Sequence, residues 1–262
     1  MPFTLSHAAA AIPFRRTPLI MSAIVMGCFV PDLSHFLSPL ASGMPFSHTL
    51  AGAFLFDLPL AMAALWLFHA FIKQPMLMFL PVGIRRRLTS SVTTFPFWPS
   101  RRLLLIVLSI LTGITTHLLW DAFTHRNSWI SQNWAFLRGA VRLPVAGEMQ
   151  MDKLLEYASS IFGLAVLAGW IWYWYRTTNP SVAPIAQPAD AAQKRTLVVG
   201  LPVLAMLGGA LQAYRVSGIL LQMRPIAHFL VATLISTIAY FLLGLLVYGV
   251  ILRCRRGAIV RV

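Results

Sequence analysis

At 262 residues, 58% of them hydrophobic and only 11% charged, the chain has the composition of an integral membrane protein and not of a water-soluble globular domain. A formal net charge of +14 raises nucleic acid as a partner. No basic segment is interleaved with stacking aromatics or forms a binding motif, so no nucleic acid is expected and the charge is read as a determinant of membrane topology.

In chain order, the N-terminus MPFTLSHAAAAIPFRR places its arginines after the first short apolar stretch, with no basic leader before it. That is not the pattern of a secretory signal peptide, and insertion is expected to rest on internal helices. Residues 1–37 read as two short helices, about 4–13 and 19–30, joined by Arg15-Arg16-Thr17-Pro18. Pro13, Pro18 and the arginine pair argue against one continuous helix, in which His7 and Asp32 would lie about 37 Å apart at 1.5 Å per residue. A hairpin brings them together. The apolar part of the second helix, LIMSAIVMGCFV, stops at Pro31-Asp32 and is short for a span.

Five later segments have the roughly 20 apolar residues that a span needs: about 51–72, 103–122, 154–175, 197–214 and 226–252. Between the first two, residues 73–102 carry PMLMFLPVGI and Arg85-Arg86-Arg87, the pattern of a segment lying at the interface with its arginines among anionic headgroups. WIWYWYR at 170–176 suits an aromatic belt, and NPSVAPIAQPADAAQK within 176–196 reads as a flexible linker. The expected fold class is all-α: a polytopic transmembrane helix bundle of five long spanning helices plus an N-terminal short helical hairpin or a sixth span. Its expected organisation is a membrane domain over 1–175, a cytoplasmic linker over 176–196, and two C-terminal transmembrane helices with a basic tail over 197–262. No internal repeat is found. Cys28 lies in an apolar segment and Cys254 in the basic tail, so no disulfide framework is indicated.

Fifteen of the 21 basic residues fall in segments 1–18, 73–102, 176–196 and 253–262, and six in the alternate ones. The positive-inside rule makes the first set cytoplasmic, including the C-terminus. Ionisable residues are costly at membrane depth, which makes their placement informative. His7, Asp32 and His35 in PDLSHF, His48 in FSHTLAG, and His117, Asp121 and His125 in GITTHLLWDAFTH all fall on the opposite, extracytoplasmic side under that topology. His117 and Asp121 share a helix face, as do Asp121 and His125.

Imidazole and carboxylate are ligands for zinc, manganese and iron. His117 and His125 would be about 12 Å apart on an unbroken helix, too far for one ion. Either the helix ends near Thr124 or two ions lie side by side with Asp121 between them. The plainer alternative is that these groups cap helices or hydrogen-bond between them, with Ser47-His48 near a helix start. Asp57 is expected to support the site or pair with a neighbouring helix, and His69 to serve in packing. His228 lacks a partner in its surroundings. Glu148, Asp152 and Glu156 read as a solvated helix face with Lys153 as counter-charge. No G-x-S-x-G elbow, Walker loop, dinucleotide fingerprint or H-E-x-x-H is present.

The stretches MPFTLSHAAA at 1–10, GCFVPDLSHF at 27–36, SHTLAG at 47–52, GITTHLLWDAFTH at 113–125 and, more loosely, KLLEYASSIFG at 153–163 resemble a bacterial membrane family, number 4184 in the domain-of-unknown-function series. More distantly, the order His, PD-x-x-H, His, H-x-x-x-D is similar to bacterial membrane-bound metal-dependent hydrolases, which implies a hydrolytic metal centre. The resulting expectation is a divalent-metal site at the extracytoplasmic face of a bacterial inner membrane. Zinc is the first choice, with manganese or iron as alternatives, in one or two ions. His7, Asp32, His48, His117 and Asp121 are the expected ligands, with His125 or His35 as a further ligand or general acid/base. The expected substrate is a lipid or lipid-linked (phospho)ester from the surrounding bilayer. The competing class is a non-enzymatic transporter or scaffold in which the same cluster is structural.

Overall fold

The computed structural model describes residues 3–37, 48–88, 95–125, 128–144, 147–181, 195–217 and 226–259. Apolar sequence with few helix breakers dictates nearly all of its architecture. The helices are α1 (Thr4–His7), continued as a 3₁₀ helix over Ala8–Arg16, then α2 (Met21–Leu37), α3 (Leu50–Phe79), α4 (Val82–Leu88) and α5 (Ser100–Thr124). After α5 come α6 (Trp129–Asn133), α7 (Ala135–Arg138), α8 (Met151–Thr177), α9 (Leu201–Ser217) and α10 (Ile226–Ile259). Among the described residues five helices are long and apolar enough to cross a membrane, so the chain is a multi-pass, all-α membrane protein. They cover the five expected segments. Side chains such as Leu55, Ile161, Phe162 and Leu204 stay exposed on the spans, where acyl chains and not water are the natural solvent.

Three boundaries differ from the sequence reading. Helix α2 passes through Pro31 to Leu37 instead of stopping near residue 30. Pro31 withholds only the one N–H that would bond the Gly27 carbonyl. Helix α3 runs on to Phe79, through turns of wider π geometry at Ala53–Asp57 and Phe68–Ile72. Residues 123–153 contain an antiparallel hairpin, β1 (Ala140–Leu143) with β2 (Gly147–Gln150), its return marked by Gly147 at φ 72°. Glu148 therefore sits on a strand, opposite Arg142, and does not share a helix face with Asp152 and Glu156. Those two carboxylates are buried on α8, with Lys153 Nζ 2.6 Å from Glu156 Oε2, so that turn is not a solvated face. Residues 182–194 of the expected linker lie outside the described residues.

Two compact units divide the chain. The first contains α1, α2 as far as Leu33, α3 as far as Leu65, and α5 through α8. Its N-terminal hairpin closes on a core of Ala11, Ile24 and Cys28, flanked by Phe14, Leu19, Val25 and Phe29. The bend at Thr17–Leu19 makes this a hairpin beside the spans; at 17 residues, α2 is about 26 Å long, short of a roughly 30 Å hydrocarbon core. Small residues let it pack closely. A methyl group on Gly27 would meet the Ile110 carbonyl of α5, and one on Gly113 would meet the Ile24 carbonyl of α2. On the other side of the hairpin, Gly163 of α8 leaves room for Ser6, while the Phe3 N–H donates to Ser160 Oγ at 2.9 Å.

The second unit packs α9 against α10 and α10 against the Phe68–Ile72 turn. Gly249 meets the Phe71 backbone there, and Arg253 donates to the Ala70 carbonyl at 3.3 Å. Helix α4 is held by Arg87 Nε donating to the Thr178 carbonyl at 2.8 Å and the Ser181 N–H donating to the Arg86 carbonyl at 2.9 Å.

Candidate metal centre

Four parts of the first unit converge on one point. Helix α5 presents His117 and Asp121 one turn apart on the face that meets α2. Because Gly27 and Gly113 let the two backbones touch, the His117 ring reaches the Cys28 carbonyl, with Nδ1 2.7 Å from the oxygen. Helix α2 continues past Pro31 to bring in Asp32, whose Oδ2 accepts a 2.7 Å hydrogen bond from Thr4 Oγ1 of α1. The hairpin that places Thr4 also places His7, whose ring stacks on His117 with centroids 4.1 Å apart.

His48 enters from just before α3 with φ 44°, in the left-handed region. A non-glycine residue there costs on the order of 1–3 kcal/mol, and such strain collects at functional sites. The cap of α3 is the next residue: Thr49 Oγ1 accepts from the Gly52 N–H at 2.9 Å, which removes helix capping as the task of His48.

Asp32, His48, His117 and Asp121 each offer a donor atom within 4.8 Å of the others, and together they could hold a metal ion. His117 Nε2 is 3.1 Å from Asp121 Oδ2 and 3.6 Å from Asp32 Oδ1; His48 Nε2 is 3.4 Å and 3.7 Å from the same two oxygens. Donors at the corners of a tetrahedron around zinc, with bonds of 2.0–2.1 Å, stand about 3.3 Å from one another. The four His-to-carboxylate separations, 3.1 to 3.7 Å, lie near that spacing.

Hydrogen bonding says more. A carbonyl only accepts, so His117 Nδ1 carries a proton, and the ring then turns Nε2 toward two carboxylates. Among the described residues, His7 Nε2, Asp32 Oδ1, His117 Nε2 and both Asp121 carboxylate oxygens are buried and meet no hydrogen-bond partner. Buried polar atoms are nearly always satisfied. Five such atoms gathered about the Asp32 and Asp121 carboxylates are an arrangement that cations satisfy. A histidine ligand fixed through its other nitrogen by a backbone carbonyl is also the usual support of a metal site.

The same field shows in the ionisations outside the spans. The carboxylates of Asp121 and then Asp32 beside it hold the His48 imidazole up at about 9. Burial pushes Asp32 upward, yet the nearness of His48 and the charge of His117 carry it below the ordinary carboxylate range. Burial first, and then His117, push the His7 imidazole down to about 4, leaving it neutral with a free lone pair at neutral pH.

His125 lies at the rim. Helix α5 ends at Thr124, and His125 itself has extended backbone geometry, φ −97° and ψ 124°, so its ring turns back with Nδ1 3.6 Å from Asp121 Oδ2 and 3.1 Å from the Asp121 carbonyl. His125 is nonetheless not among the four residues whose donor atoms lie within 4.8 Å of one another. The His35 and His228 side chains lie outside the described residues. Asp57 is fully buried in the Ala53–Asp57 turn, which packs against α5, and both its oxygens lack hydrogen bonds. It interacts electrostatically with His48 and His117. His69 belongs to the second unit, where its ring stacks on Phe95 at 3.9 Å. Sequence reasoning missed Thr4 and the Cys28 carbonyl, which orient Asp32 and His117. Thr4 stands three residues before His7 on the same turn, a spacing that pointed to it; a carbonyl leaves no mark in sequence.

The family model described as Domain of unknown function (DUF4184) matches residues 1–250, and the chain belongs to that family. Comparison with curated proteins and with solved structures gives no match.

Proposed function

We propose that this member of the DUF4184 family is a membrane-embedded, divalent-metal-dependent hydrolase of a lipid or lipid-linked phosphoester. Its site would face the extracytoplasmic side of a bacterial inner membrane. The observation that carries the metal reading is the setting of His117: with Nδ1 committed to the Cys28 carbonyl, its buried Nε2 faces two buried carboxylates. A structural cluster would hydrogen-bond those atoms to one another, which is what five orphaned donors argue against.

Asp32, His48, His117 and Asp121 would hold the ion, with zinc favoured by the tetrahedral spacing and manganese or iron admitted by the two carboxylates. When bound, such an ion lowers the pKa of a coordinated water toward about 7 and polarises an ester oxygen. The chain's own part is positioning and access. Side-chain exposure is 32% at His48 and 31% at His125 against 0% at His117 and 6% at Asp121, so water and substrate would arrive from the His48 and His125 side. His125, at hydrogen-bond reach of the Asp121 backbone, is the group placed to give a proton to the leaving oxygen.

Phospholipid chemistry is favoured by depth. The donors sit at the end of α5 and the start of α3, where a span meets headgroups, and the segments after α5 leave Trp129, Trp134 and Phe136 exposed, as aromatic residues are at that level. Metal analysis of the purified protein in detergent tests the reading. Bound divalent metal is expected in wild type and its loss in the His117→Ala, Asp121→Ala double variant. Metal-free wild type, or occupancy untouched by the double substitution, sinks it. A panel of lipid phosphoesters assayed with and without chelator then asks for turnover that falls at least tenfold on chelation.

A further inference from the structure

We propose that the centre takes two ions bridged by Asp121, with His7 as a ligand of the second; the proposal rests on the metal reading above. The Asp121 carboxylate divides its neighbours between its oxygens. Oδ2 faces His48 Nε2 at 3.4 Å and His117 Nε2 at 3.1 Å, whereas Oδ1 faces His7 Nε2 at 3.5 Å. Once Oδ2 joins Asp32, His48 and His117 around the first ion, Asp121 Oδ1 and His7 Nε2 are left buried and without partners. A carboxylate with donors on both oxygens is the geometry of a bridge.

The imidazole rings give a second, independent measure. An ion bound at 2.0–2.1 Å lies about 3.2 Å from the ring centre of its histidine, so two rings sharing one tetrahedral ion stand about 5.2 Å apart, and two at right angles about 4.5 Å. His48 and His117 are 5.6 Å apart and meet edge to face, which suits a shared ion. His7 and His117 are 4.1 Å apart and tilted by only 26°. Stacked so closely, the two rings bring their Nε2 atoms to different oxygens of the one carboxylate, His7 to Asp121 Oδ1 and His117 to Asp121 Oδ2. The stacking distance matches the roughly 3.5–4 Å between ions in two-metal hydrolytic sites.

His7 is held for this role. The short turn of α1 that carries it is fixed at both ends, by the Thr4 hydrogen bond to Asp32 and by Ser6 seated against Gly163. With His7 and Asp121 as its protein ligands, a second ion would have positions left for water or a substrate oxygen and would supply a second grip on a phosphoester.

The full-length protein in detergent is loaded with zinc, desalted and analysed for metal per chain, and separately loaded with manganese for electron paramagnetic resonance. Two zinc ions per chain are expected in wild type and one in His7→Ala. Manganese-loaded wild type should show an exchange-coupled spectrum that becomes an uncoupled six-line signal in the variant. One ion per saturated wild-type chain, or two retained in His7→Ala, overturns the second site and leaves the first standing. No ion in wild type overturns both.

Discussion

Two kinds of buried carboxylate are separated by the company they keep. Asp32 and Asp121 face imidazoles, and Thr4 anchors the first through a 2.7 Å hydrogen bond. Asp57 has no hydrogen bond on either oxygen. An unpaired polar group in an apolar interior costs about 1–3 kcal/mol by mutational measures. Asp57→Leu is therefore expected to raise unfolding stability in detergent by about that amount while leaving metal per chain unchanged. A drop in bound metal would instead place Asp57 among the donors. The donors were legible from residue type and spacing alone, because His and Asp are rare at membrane depth and His117 and Asp121 repeat at one helical turn. The left-handed backbone of His48 was not, since it is imposed by the entry into α3 and has no glycine to announce it.

Between elements, the decisive contact is the crossing of α2 and α5. It depends on two glycines whose missing side chains let carbonyl oxygens occupy the space. Gly113→Ala would push the helices apart, costing about 1–3 kcal/mol as overpacking does. It would also draw His117 away from the Cys28 carbonyl, and loss of such an outer hydrogen bond weakens metal affinity about 10- to 100-fold. Thermal unfolding together with zinc titration checks both effects; unchanged zinc affinity would mean that the crossing does not set the His117 geometry. The sequence told where the helices run, since runs of apolar residues leave few alternatives. It did not tell that α2 crosses Pro31, because one lost backbone bond is outweighed by packing that only the fold reveals. The β1–β2 hairpin was hidden for a related reason: AVRL and GEMQ lack the strong alternation that marks a half-buried strand.

For the whole molecule, the distribution of Arg and Lys sets an expectation about sidedness. Cys254 is exposed in the basic C-terminal tail and Cys28 is buried in the hairpin core. In intact cells, a membrane-impermeant thiol reagent should leave both unmodified, and opening the inner membrane should admit labelling at Cys254 alone. Labelling of Cys254 from outside would invert the topology and with it the side on which the site opens. Membership of the DUF4184 family over residues 1–250 was readable from the His and Asp motifs of the first half of the chain.

The hydrogen bond between His117 and the Cys28 carbonyl joins residues 89 positions apart, and Thr4 must find Asp32 before His7 can find Asp121. The centre therefore has an order of birth. While the ribosome is still making α3, Asp32 and His7 have been synthesised but His117 and Asp121 have not, so the four-donor group is incomplete. Completion waits until α5 has been threaded into the bilayer beside α2, which makes the arrival of metal a late event in biogenesis and a chain truncated before Asp121 unable to sequester it.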